Sequence, residues 1–152
     1  MMRVALAGDH GGGELKALLL NRLAESGHEL IDLGGDGSDP TDDYRDFARR
    51  LAHAMRDGQP DRGILVCGSG IAASVAANEV RGVRAAIAPD AYSADQGVEH
   101  DDLNVLCLVG RVTGPEPAVE CARAFLVATI SGEARHARRL TKVLALEAED
   151  WR

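Results

Sequence analysis

Cys67 opens the segment Cys67-Gly68-Ser69-Gly70-Ile71-Ala72, directly after the apolar run Ile64-Leu65-Val66. A thiol at the end of a strand and the start of a helix can serve as base or nucleophile, and the helix start is expected to lower its pKa from about 8.5. The small residues that follow let several backbone amides converge on one oxygen, which makes an oxyanion site. The competing reading is a free cysteine packed as a small hydrophobe. Strand end, glycines and helix start coincide here, and that favours the functional reading. A cysteine phosphatase is excluded, because its arginine six residues after the thiol is Ala73 in this chain.

Two more groups carry chemistry. In Gly8-Asp9-His10-Gly11-Gly12-Gly13 a strand gives way to a polar pair and a glycine run that opens a helix. Glycine admits close backbone approach and a helix start favours an anion, though the same pattern also makes a plain tight turn. A dinucleotide fingerprint starting at Gly8 would need glycine where His10 stands, and no Gly-Lys-Ser or Gly-Lys-Thr follows to make a P-loop. Glu99-His100-Asp101-Asp102-Leu103-Asn104 sets a histidine among acids, where it can act as general acid or base. Taken alone, His100 reads more simply as a solvated surface residue. Arg135, His136, Arg138 and Arg139 form a basic cluster suited to a small anion.

These groups need elements to position them. Apolar runs at 4–8, 29–33, 63–67, 83–88 and 104–109 are expected strands, rich in Val, Ile, Leu and Ala as strands covered on both faces should be. Amphipathic stretches at 14–26, 44–56, 71–79, a shorter one near 92–98, and 116–129 are expected helices, the last with Pro115 and Pro117 at its start. The alternation predicts an α/β fold, a three-layer αβα sandwich around a five-stranded parallel, Rossmann-like sheet. Ligands of such sheets bind beyond the carboxyl ends of the strands, and all three groups are expected near such ends. The segment 135–148 is helical by pattern but follows the completed sheet. Leu140, Val143, Leu144 and Leu146 give it an apolar face that a partner subunit would cover.

The 152 residues suit one domain spanning 1–152. A net charge of −7 argues against a nucleic-acid surface. No apolar run approaches the ~20 residues of a membrane span, and the first residues are too short for a signal segment and read as a strand. Cys67, Cys107 and Cys121 show no CxxC spacing, so neither a disulfide framework nor a zinc ribbon is indicated, and a reducing cytoplasm fits. No His, Cys, Asp or Glu set has metal-ligand spacing.

The ordered set of motifs resembles the ribose-5-phosphate isomerase type B and galactose-6-phosphate isomerase family over nearly the whole chain. Gly8-Asp9-His10-Gly11-Gly12 resembles its Gly-x-Asp-His-x-Gly start, and Asp43-Tyr44-Arg45-Asp46-Phe47-Ala48 its Asp-Tyr-Pro-x-Tyr-Ala. Cys67-Gly68-Ser69-Gly70-Ile71 is similar to its Cys-Gly-[Thr/Ser]-Gly loop, with Ala76-Ala77-Asn78 following. His100-Asp101-Asp102-Leu103-Asn104 resembles His-Asn-Asp-x-Asn, Gly110-Arg111 resembles a Gly-Ser-Arg or Gly-Gly-Arg turn, and Arg135-His136-Ala137-Arg138-Arg139 resembles Arg-His-x-x-Arg.

The resemblance implies an aldose-ketose isomerase acting on a small phosphorylated sugar, without metal or organic cofactor. It further implies a homodimer, alone or as a dimer of dimers, with active sites at the subunit interface. Carried over by motif, Cys67 is the base at C2, Ser69 relays protons between O1 and O2, and His100 assists ring opening opposite Asp9. His10, Arg135 and Arg139 match phosphate-binding positions, with Arg111 a further candidate, and Tyr44 matches a neighbour of the ring-opening histidine. Gly68, Ser69, Gly70 and Ile71 would offer amides to the enediolate. Asp101 stands where the family has Asn, exchanging a donor for an acceptor beside the substrate. Ala72 replaces a frequent Gly, Arg45 a frequent Pro, and Asp95-Gln96-Gly97-Val98 a stretch rich in Ser and Arg. The reaction itself asks for one base, one oxyanion site and one hydroxyl relay, all present. The alternative from another class is a non-catalytic sugar-phosphate or nucleotide-binding module of flavodoxin-like shape, which has no need of Cys67 and Ser69 together. Half of a two-chain isomerase is a third reading, against which all the site residues stand in one chain.

Overall fold

Alternate strand residues face two different cores. In β1 (Arg3–Gly8), Val4 and Leu6 join one buried cluster and Ala5 and Ala7 the other. β3 (Arg62–Cys67) separates Ile64 and Val66 from Leu65 and Cys67 in the same way, and β5 (Val105–Val109) separates Leu106 and Leu108 from Val105 and Cys107. Burial on both faces is why these strands read as unbroken apolar runs. The computed structural model describes residues 1–149 and adds β2 (Glu29–Asp32) and β4 (Ala85–Ile87). All pairings are parallel, in the order β2-β1-β3-β5-β4.

Helices α1 (Gly13–Arg22), α4 (Ala91–Asp101) and α5 (Pro115–Val127) cover the first core through Leu15 and Leu19, Ala94 and Val98, and Ala118, Ala122 and Phe125. On the opposite face α2 (Tyr44–Arg56) and α3 (Ile71–Asn78) contribute Ala48, Leu51, Ala52, Ala73 and Ala77. The expected αβα sandwich is thus present. The order of strand addition reverses between β1 and β3, where the path from β1 goes outward to β2 and returns to β3 on the other side.

The departures from the expected boundaries that bear on the site lie in α1, β4 and α4. α1 stops at Arg22 because Leu23 N–H makes its last bond to Leu19 O and the chain turns through Ser26 N–H to Leu23 O. β4 is only three residues long. Its approach is held by asparagine side chains instead of a ladder: Arg84 N–H donates to Asn104 Oδ1 and Ala85 N–H to Asn78 Oδ1, both at 2.8 Å. α4 is longer than 92–98. Asp90 caps it by accepting from Ser93 N–H, and it ends only where Asp102 turns left-handed at φ 50° with its carboxylate on Arg84. His100 therefore belongs to the helix.

α6 (Ala134–Ala148) crosses the amino-terminal edge of the sheet. His136 near its start is buried against His100 of α4, and near its end Glu147 accepts from Gly82 N–H, just before β4. Val143, Leu144 and Leu146 stay exposed.

The loops at the carboxyl edge meet backbone to backbone. A Cβ on Gly12 would lie 2.1 Å from Val66 O, and one on Gly110 2.3 Å from Gly11 O. Gly12→Ala is expected to destabilise the fold by about 1–3 kcal/mol, since a main-chain oxygen cannot give way as a side chain can. The shift of the urea midpoint measures it, and an unchanged midpoint would show the β1–α1 turn to be compliant.

Candidate active site

Asp9 is the first residue after β1 and Cys67 the last of β3, so the parallel register brings them together at the topological switch point of the sheet. Cys67 Sγ donates to Asp9 Oδ2 at 3.3 Å, and each residue is only 7% exposed. Asp9 Oδ1 accepts from Gly11 N–H, which fixes the carboxylate. Burial pushes the Cys67 thiol above its usual range; the Gly70 N–H opposes this, the Asp9 carboxylate adds to it, and the Ser69 N–H opposes it. The lowering expected from the α3 helix start is corrected: desolvation and a neighbouring anion outweigh the amides.

Gly70 adopts φ +75° as it enters α3, which turns the loop amides toward the sulfur. Ser69 Oγ accepts from Ile71 N–H at 3.3 Å, and its own proton is free to point to the exposed side. The β5 loop closes over this turn: Gly110 N–H donates to Cys67 O, Arg111 N–H donates to Gly68 O, and the Arg111 side chain lies along Gly68. His10 faces the same mouth. One oxygen of Asp42 accepts from His10 N–H at 3.0 Å and from His10 Nδ1 at 2.6 Å. That bond raises the His10 pKa above 6.5; burial opposes it, the charges of Asp42 and Asp9 reinforce it, and Arg111 acts against it. Asp9, His10, Cys67, Gly68, Ser69, Gly70, Ile71 and Arg111 are thus gathered at one place. Tyr44, at the start of α2, lines an adjoining groove of about 540 Å³ with Ala72, Val75 and Ala76 of α3.

The third group lies elsewhere, contrary to expectation. α4 runs back along the sheet and hands over to the first residue of β5, so His100 and Asp101 sit at the amino ends of the strands. The bond from Gly63 N–H to Asn104 O marks that level. From Gly63 to Cys67 is roughly 13 Å of strand, so the chain's own His100 is held away from its own Cys67. His100 stacks on His136 with ring centroids 3.8 Å apart, and His136 Nδ1 is 2.6 Å from Ser131 Oγ. Burial, then His100 and Arg135, hold the His136 imidazole below 6.5. Arg135 and Arg139 are exposed on the same helix, Arg135 bonded to Glu133.

Sequence reasoning missed Asp42 and the structural part of His136. Asp42 is one aspartate among Asp36, Asp39, Asp43 and Asp46, and nothing in its type or spacing marks it. His136 stands between arginines and reads with them as part of a basic cluster, whereas the residue is buried, at 2% exposure.

A thiol and a carboxylate set among amides at the switch point of a parallel αβα sheet form an arrangement that can transfer a proton beside a bound carbonyl. The chain belongs to the ribose/galactose isomerase family, whose model matches residues 4–143. Ribose-5-phosphate isomerase B of Escherichia coli is 40% identical over 147 residues, covering 97% of each chain. D-erythrulose-4-phosphate isomerase of Pectobacterium atrosepticum is 38% identical over 132 residues, covering 87% of each. A crystal structure of ribose-5-phosphate isomerase B from Mycoplasma genitalium with bound ribulose-5-phosphate superposes with a TM-score of 0.89 at 36% identity, covering 97% of both chains. The protein is accordingly a sugar-phosphate aldose-ketose isomerase.

Asp9→Asn removes the charge and keeps the size of the carboxylate. Cys67 should then alkylate faster with iodoacetamide at neutral pH, because a thiolate no longer faces an anion. Peptide mass spectrometry at Cys67 across pH reads this, and an unaltered rate profile would mean that burial alone governs the thiol.

Proposed function

We propose that this chain interconverts ribose 5-phosphate and ribulose 5-phosphate through a cis-enediolate, with Cys67 as the base at C2. The observation that carries the reading is the contact of Cys67 Sγ with Asp9 Oδ2 beneath the amides of Ser69 and Gly70. A buried thiol must lose its proton before it can take another, and Asp9 is the carboxylate in contact with it. Passing the proton to Asp9 moves one negative charge within the pair and adds none, so burial resists it less than ionisation to solvent. The thiolate then removes the C2 hydrogen of the open-chain aldose. The amides of Gly68, Ser69, Gly70 and Ile71 stabilise the enediolate oxygen, and Ser69 carries a proton between O2 and O1. Returning the proton from Cys67 to C1 gives the ketose. The names of the Escherichia coli and Mycoplasma genitalium relatives support a pentose phosphate. Free thiols at Cys67, Cys107 and Cys121 suit a reducing cytoplasm, and no helix among the described residues is long and apolar enough to cross a membrane.

Ring opening needs an acid opposite Asp9, and His100 is that residue by motif. Since β3 separates His100 from Cys67 within one chain, the acid comes from a second copy, as the partner subunit's His100. The partner subunit's Asp101, Arg135 and Arg139 arrive with it, on the edge that carries the exposed apolar residues of α6. The substrate phosphate then lies between His10 and Arg111 of one subunit and the two arginines of the other, and Tyr44 flanks the ring-opening side. Light scattering at micromolar concentration should give a homodimer or a multiple of it; a monomer near 16.1 kDa would sink the shared site.

With ribose 5-phosphate in deuterium oxide, the wild type should exchange the C2 hydrogen during turnover. Cys67→Ala should keep its fold and lose about 10²–10⁴-fold in kcat, as removal of a positioned base does. Undiminished exchange in Cys67→Ala would refute the base. Faster turnover of a tetrose or hexose phosphate than of ribose 5-phosphate would reassign the substrate and leave the chemistry intact.

A further inference from the structure

We propose that Asp42 is a positioning residue for phosphate binding, one oxygen of its carboxylate holding His10 as an outward-facing cation. The inference rests on the reading above that His10 meets the substrate phosphate. Asp42 enters from the loop between β2 and α2, and its Oδ1 accepts from both the backbone N–H and the ring Nδ1 of His10. The two bonds fix the ring plane relative to the main chain. They also leave Nε2 as the nitrogen available to a ligand, and Nε2 is a donor whenever the ring is protonated. Asp42 is turned inward, with a side chain 12% exposed against 33% for His10, so it is His10 that presents itself to the solvent side.

The charged groups that face His10 divide by sign. Asp42 and Asp9 favour its protonated form and Arg111 opposes it, while Asp39 feels the His10 charge from the same loop. Asp42 outweighs the others because it is hydrogen-bonded to the ring, whereas they act through space. A phosphomonoester carries its second negative charge above about pH 6. Pairing of dianion and imidazolium therefore occupies a window between the ionisation of the phosphate and the deprotonation of His10. Because the His10 pKa is raised, the window extends upward in pH; removing the Asp42 charge should close it from the alkaline side.

Asp42→Asn keeps an acceptor for the Nδ1 proton and removes the charge, so it separates charge from orientation. The probe is inorganic phosphate as a competitive inhibitor of isomerisation, its inhibition constant followed from pH 6 to pH 9. In Asp42→Asn inhibition should be as strong as in wild type or stronger near pH 6, below the ordinary histidine value, because one repelling anion has gone. Toward the alkaline end of that range it should be weaker than in wild type, with the loss of binding setting in at a lower pH. Tighter inhibition at every pH would mean that Asp42 only repels the ligand, and a uniform loss with the alkaline limb unmoved would mean that it only props the loop; either overturns the proposal. The His10 ring proton signals, titrated by NMR in the wild type, give a measurement that needs no folded variant. Titration above the ordinary value near 6.5 is expected, and titration at or below it overturns the inference. His10→Gln separates the two layers of argument. If that variant binds phosphate unchanged, the phosphate reading of His10 fails and this inference with it. If it binds weakly while Asp42→Asn shows no pH shift, the phosphate reading stands and Asp42 alone is excluded.

Discussion

Main chain lies on main chain where the turn after β1 meets the end of β3, and the site depends on that contact. Gly12 leaves no room for a side chain above Val66 O, and a Cβ on Gly11 would meet the Gly68 backbone at 2.8 Å. With backbones this near, residues one step along each strand come into reach, so Asp9 touches Cys67 and Arg111 lies over Gly68. The β5 loop adds the third side through Gly110, which itself abuts Gly11. Three loops from three adjacent strands form one mouth because glycine removes the side-chain layer that would hold them apart.

Charge is sorted within that mouth. The inner part holds one carboxylate and one thiol away from water, where a second negative charge is disfavoured and proton exchange between the two groups is the easier move. The outer part holds His10 and Arg111, both more exposed and both able to carry positive charge. Under the reading proposed above, a phosphorylated sugar laid across the mouth would set its anion toward His10 and Arg111 and its reacting carbons toward the thiol. The binding energy of the remote phosphate can then orient the carbons at the thiol.

The strands were legible because β1, β3 and β5 are covered on both faces and read as continuous apolar runs. The two glycine-rich groups were legible as sites because they follow such runs. His100 was placed at the wrong end of the sheet, although the order of elements held the answer: a residue that precedes a strand lies at its amino end. The thiol's ionisation could not be read, because the amides of Ser69 and Gly70 are visible in the sequence while the depth of Cys67 and the approach of Asp9, 58 residues away, are properties of the fold. Asp42 was hidden for the same reason, since its contact with His10 spans 32 residues.

The strand order β2-β1-β3-β5-β4 governs how the sheet can be completed as the chain leaves the ribosome. β2, β1 and β3 can pair once residue 67 has emerged, but β4 has β5 as its one neighbour among the described strands and nothing to pair with until residues 105–109 are made. β5 enters between β3 and β4, so the sheet is finished by insertion and not by growth at its rim. Until then β3 presents an open edge of apolar residues with unpaired backbone groups, ending at Cys67, the kind of edge that recruits other strands. A chain in which β3 is made and β5 is not would leave that edge unpaired, and pairing of β5 with β3 closes it.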